Sequence, residues 1–204
     1  MRIIRKKGES GNTLLEFALV STFAVPLMVG TFVVGTNLGR SIHATQLSRD
    51  AGHMYARGVD FSATTNQDLI VRLAQGTGMT RTGGNGVVIL SRIIKVYQAD
   101  CDAASLSGSA CTNLNQSVVT QRIVVGNPQL RASSFGTPSP SLLDSQGNVA
   151  NYLKETSARA GAFGNVLSLN QGEMAYTAEV YLPSPDLDFQ QYQKSTGVYA
   201  RSIF

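Results

Sequence analysis

Hydrophobic positions fall into two regimes along this chain. From Phe17 to Gly39 the segment FALVSTFAVPLMVGTFVVGTNLG runs without a single charged residue. A helix of about 20 apolar residues matches the ~30 Å hydrocarbon core of a bilayer, and a helix apolar on every side has no face suited to water. The basic stretch MRIIRKKGESG precedes it, NTLLE lies between, and Arg40 alone closes the far end. The positive-inside rule then places the N-terminus in the cytoplasm and residues 41–204 outside. Pro26 and Gly30 sit mid-run, where a membrane helix tolerates them.

Beyond Arg40 the pattern shortens. Ile42, Leu47, Ala51, Met54 and Tyr55 recur at helical spacing without a proline, so the helix is expected to continue to about Gly58. A second helix is predicted over 66–75, with Thr65 as N-cap, Leu69, Ile70 and Leu73 as apolar stripe, and Gly76 past its end. Strands are predicted at 87–98 (VVILSRIIKVYQ), 118–125 (VVTQRIVV), 174–182 and 198–204 (VYARSIF). In 174–182 the residues Met174, Tyr176, Ala178, Val180 and Leu182 alternate onto one face. Residues 127–172 are rich in Ser, Gly, Asn and Pro and read as loop, with a short helix at 149–160. The expected fold is α+β: a long N-terminal hydrophobic helix followed by a small antiparallel β-sheet domain.

Charge changes little of this. The net +4 is concentrated at Arg2, Arg5, Lys6 and Lys7; without residues 1–11 the chain holds 13 basic and 12 acidic residues. No basic patch with interleaved aromatics stands out, so nucleic acid is not an expected partner. His43 and His53, ten residues apart on one helix, lie about 15 Å apart along its axis and cannot share a metal. Asp144-Ser145-Gln146-Gly147-Asn148 lacks the spacing and closing Glu of a calcium loop. Gly83-Gly84-Asn85-Gly86 lacks the Lys-Ser/Thr of a phosphate loop. No Ser-His-Asp grouping, paired carboxylates, HExxH or nucleotide fingerprint appears, so neither an enzyme, a cofactor nor a small-molecule substrate is expected.

One acid stands out. Glu16 borders the apolar run, where an ionised carboxylate is costly and marks function by default. Five residues before it is Gly11. The string Gly11-Asn12-Thr13-Leu14-Leu15-Glu16-Phe17, after a basic leader and before an uncharged run, resembles a prepilin peptidase site. The aromatic Phe17 after the Glu resembles the Flp/Tad branch, and SRDAGHMYARG resembles the region past the anchor in TadE-like proteins. Asn12 departs from the Phe or Met that begins many type IV pilins.

The resemblance implies a TadE-like minor pilin subunit, cleaved between Gly11 and Asn12 by prepilin peptidase, held in the bacterial inner membrane and associated with other pilin or pseudopilin subunits. The freed amine of Asn12 lies one helical turn from Glu16, and the amine of one subunit can neutralise the Glu of its neighbour. Residues 1–11 then form the leader, 12–58 the transmembrane and assembly helix, and 59–204 the extracytoplasmic α+β domain. Cys101 and Cys111, in the connection between the first two strands, would face an oxidising space and form a disulfide. Competing readings are an uncleaved single-pass anchor on a periplasmic binding or structural protein, a secretory signal peptide, and a buried soluble helix. No clean A-x-A-like site follows the apolar run to support the signal peptide.

Overall fold

The computed structural model describes residues 10–106, 108–184 and 197–204. The chain divides into two units, one ending at Gly39 and one spanning Arg40–Phe204. Residues 1–9 of the expected leader lie outside the described residues.

Helix α1 runs Ser10–Ala56, with Pro26 inside it. In the first unit its large apolar side chains are exposed on all sides, from Leu14 (73%) through Met28 (77%) to Leu38 (61%). Four polar side chains within the run turn back onto the helix. Thr22 Oγ1 donates to Ala18 O at 2.8 Å, Thr31 Oγ1 to Leu27 O at 2.8 Å, and Thr36 Oγ1 and Asn37 Nδ2 both to Val33 O, at 2.9 and 3.0 Å. Such back-bonding would spare these donors in a medium without water. The helix is long and apolar enough to cross a membrane.

The second unit is built on a four-stranded antiparallel sheet, β1 (Val87–Lys95), β2 (Ser117–Gly126), β3 (Met174–Pro183) and β4 (Gly197–Ile203), in the order β2-β1-β3-β4. An α+β fold with a long apolar helix and a small antiparallel sheet is therefore what the chain adopts. One sheet face carries Val88, Leu90, Ile123, Val125, Ala178, Val180 and Leu182, which pack against Ala44, Leu47, Ala51 and Tyr55 of α1 and against Phe61 and Ile70. Small residues on α1 permit this approach: Ala44, Ser48, Ala51 and Gly52 are all buried, spaced as one helical face. The SRDAGHMYARG segment thus has a packing role. The expected domain 59–204 omits this helical segment, which lies in its core; burial across 44–55 moves the start of the folded unit to Arg40. Ile42, expected on that apolar face, is 52% exposed.

The other sheet face is covered as well. Phe135, Val149, Ala158, Ala160, Phe163 and Leu169 bury against Ile93, Val119 and Ala175. The segment read as loop is therefore a second layer, and strand β3 is buried on both faces; its alternation marked only one of them. The same segment lines the outer edge of β2: Arg122 N donates to Gly147 O (2.7 Å), Val149 N to Thr120 O (2.9 Å) and Ala160 N to Ser117 O (2.7 Å). The expected helix at 149–160 is replaced by turns and a 3₁₀ turn at Thr156–Ala158, because its backbone is engaged by β2 and by Asn113.

Helix α2 spans Thr64–Leu73, two residues earlier than predicted, with Ala63 rather than Thr65 as N-cap. Ile70 and Ala74 face the core, while Leu69 and Leu73 remain 39% and 37% exposed. Strand β1 stops at Lys95 because Asp100 Oδ2 accepts from Tyr97 N (2.8 Å) and starts a short helix α3, Gln98–Ala103.

Candidate functional site

The residues singled out for processing and assembly all lie on α1. The described residues open at Ser10, already helical, so the Gly11–Asn12 peptide lies within α1. Asn12 and Glu16 are four residues apart, one turn along the same helix. Glu16 and Phe17 are exposed, and no hydrogen bond or ion pair engages Glu16 among the described residues. From Phe17 to Gly39 the helix carries no charge, and Thr22, Thr31, Thr36 and Asn37 bond back to its own carbonyls. Among the described residues, no side chain holds this carboxylate at the boundary of the apolar run.

Cys101 on α3 and Cys111 are bonded to each other, with Cα atoms 5.9 Å apart. Both are buried and pack with Val96 and Val118. The bond ties α3 to the turn leading into β2. Close to it, Asn113 is fully buried and donates through Nδ2 to Tyr152 O and Glu155 O, both at 2.7 Å, while its Oδ1 accepts from Arg159 Nε at 2.7 Å. This amide pins the second layer to the disulfide region.

Charges escape water on the second face. Glu179 is 1% exposed, although strand alternation alone points it away from the apolar set. Its carboxylate accepts from Ser134 N (2.8 Å), Ser134 Oγ (2.5 Å), Tyr199 Oη (2.6 Å) and Ser133 Oγ. Burial works to raise its pKa, but the hydrogen bonds from Ser133, Ser134 and Tyr199 win and hold it below the usual carboxylate value. Burial, reinforced by the bond to Glu179, pushes the Tyr199 hydroxyl up to about 12. Burial lowers Arg122 to about 10, an effect the Glu179 charge partly offsets. Arg122 donates from Nη2 to Gly136 O at 2.8 Å. These polar groups clamp residues 133–136 onto the sheet. No motif announces them; the one signal is an acid in a strand whose neighbours across the sheet, Ile89 and Arg201, flank it.

A cleft of about 310 Å³ opens on the first face, past the end of α1, where Gln121, Arg92 and Tyr176 form a row across β2, β1 and β3. His43 is half-buried, and the His53 ring packs at a tilt of 47° against Phe204 with ring centroids 4.3 Å apart. Among the described residues no group of His, Cys, Asp and Glu gathers as a metal site. The Asp144 carboxylate accepts from Gln146 N, Asn148 N and Asn148 Nδ2, closing its own turn.

Comparison with protein-family models, with curated proteins and with solved structures gives no match to this chain.

Proposed function

We propose that the chain is a membrane-anchored, pilin-like subunit of the TadE type, processed after Gly11 and incorporated into a Tad/Flp-type pilus or a related secretion system of the bacterial inner membrane. The observation that carries this reading is the order basic leader, Gly11, Glu16, uncharged helix, α+β head. The helix supports it by exposing apolar side chains all round while the hydroxyls of Thr22, Thr31 and Thr36 bond internally. The disulfide supports a head on the oxidising side of the membrane, with the N-terminus cytoplasmic. Its partners in this reading are the lipid bilayer, a prepilin peptidase and other pilin or pseudopilin subunits. It is a structural role and requires no catalytic group.

In this reading Glu16 acts between subunits. Its carboxylate receives the Asn12 amine of a neighbour, which offsets the cost of burying each charge alone. Gly11→Val should leave full-length precursor in the membrane. Glu16→Gln should be inserted and processed yet recovered with other pilus subunits at a much lower level. Immunoblots of precursor and mature forms, with co-purification, test both. An uncleaved anchor is the alternative, favoured by the helical backbone at Gly11–Asn12. It is established instead if both variants match the wild type in size and association.

A further inference from the structure

The cleft at the end of α1 contains a cation that the fold orients and that no acid pairs with among the described residues. The register between β1 and β2 slips between Arg92, opposite Gln121, and Ile93, opposite Val119, which leaves Thr120 as the extra residue of a bulge. Bulges re-aim side chains, and here the bulged hydroxyl holds Arg92 from both ends. Arg92 Nε donates to Thr120 Oγ1 at 3.0 Å, and Thr120 Oγ1 donates to Arg92 O at 3.2 Å. Both Nη groups are left without a hydrogen-bond or ion-pair partner among the described residues. A guanidinium fixed at Nε presents the remaining fork that suits a carboxylate.

The surroundings are amides and an aromatic ring. Gln121 is held by Tyr55 Oη, which donates to its Oε1 at 2.9 Å, and by its own Nε2, which donates to Gln146 O at 2.9 Å. Asn148 lines the same wall, and Tyr176 is half-buried beside Arg92. The cleft's own acid, Asp60, turns Oδ1 to the Ser62 N–H and hydroxyl. An acidic peptide would need backbone partners, but the β2 edge next to the cleft is already bonded to Gly147 and Val149. A volume near 310 Å³ lies at the small end of ligand pockets, roughly 300–1,000 Å³, and suits a sugar unit whose hydroxyls meet amides.

We propose that this cleft binds a carboxylated saccharide, with Arg92 gripping the carboxylate, Gln121 and Asn148 the hydroxyls, and Tyr176 the face of the ring. The inference does not depend on leader processing. The test is titration of the full-length chain in detergent micelles, followed by calorimetry and ligand-observed NMR, with D-glucuronic acid, D-glucose and capped triglutamate as probes. Glucuronic acid should saturate, while glucose and triglutamate do not at the same concentration. Arg92→Gln should weaken binding about tenfold or more, the loss of charge-assisted hydrogen bonds. Arg92→Lys, which keeps the charge but not the fork, should weaken it less and serves if the Gln variant melts early. Asp60→Asn should bind as well as wild type or better. No saturation by glucuronic acid, equal binding by both Arg92 variants and wild type, or stronger binding of triglutamate would each overturn the proposal.

Discussion

The ring of Phe204 lies where a side chain at position 52 would be: a Cβ on Gly52 would sit 2.3 Å from Phe204 Cε2 and 3.2 Å from Ala178 Cβ. Phe204 is also locked to β3, exchanging two backbone bonds of 2.9 Å with Tyr176. Helix α1, the central sheet and the last strand therefore meet at one glycine. In a solvated helix Gly→Ala gains up to about 1 kcal/mol. Here Gly52→Ala should instead destabilise the head, and the sign should reverse in a Phe204→Ala background, where the ring is gone. A double-mutant cycle by denaturant unfolding measures this. Equal effects in both backgrounds would show that the contact does not constrain the helix.

Cys101 and Cys111 close a loop of sequence separation 10, worth roughly 2–3 kcal/mol in the chain-entropy model. Denatured, unreduced protein should take up no thiol label. The double Ser variant should lose about that stability and loosen α3 first, read as faster hydrogen exchange at Gln98–Ala103. Labelling of both cysteines without reductant would contradict the bond.

Glu179 makes the head sensitive to acid. Its folded pKa lies below the unfolded carboxylate value, about 4.3. Its contribution is therefore complete above that value and is lost as pH falls through the lower, folded pKa. Stability should drop below about pH 4. Glu179→Gln should cost about 2 kcal/mol at neutral pH and flatten the acid limb of the stability curve. An unchanged acid limb would assign the loss to other carboxylates.

The layout was legible in the residues because helix and strand periods are local. Phe17–Gly39 announces its helix by lacking charge, and β3 announces one face through Tyr176, Ala178, Val180 and Leu182. The second layer was not legible. Phe135, Val149 and Phe163 are spaced too irregularly to define a period, and their burial depends on which strand each segment reaches. Glu179 reads as solvent-facing for the same reason: nothing local says that Ser133 and Ser134 will cover it. The start of the head was misplaced because α1 continues unbroken through it, so no turn marks where packing begins. At the candidate site, Gly11 and Glu16 are a matter of spacing and were visible, whereas the Arg92 cleft depends on a bulge created by strand register.

A head beginning at Arg57 lacks Ala44, Leu47, Ala51 and Tyr55, and so uncovers Val88, Leu90, Ala178 and Val180. It should aggregate or unfold without cooperativity, whereas a fragment beginning at Arg40 should unfold in one transition. Circular dichroism and light scattering of the two fragments decide this. A cooperative, monomeric fragment from Arg57 would mean that α1 is dispensable to the core.

The N-terminal residue of the protein purified from its native membrane tests the pilin reading most directly. Edman sequencing or intact mass should find Asn12 first, with Glu16 as the fifth residue and the helix from Phe17 retained. Met1 at the start of the membrane-bound protein, or a start beyond Gly39 in a released one, would contradict it.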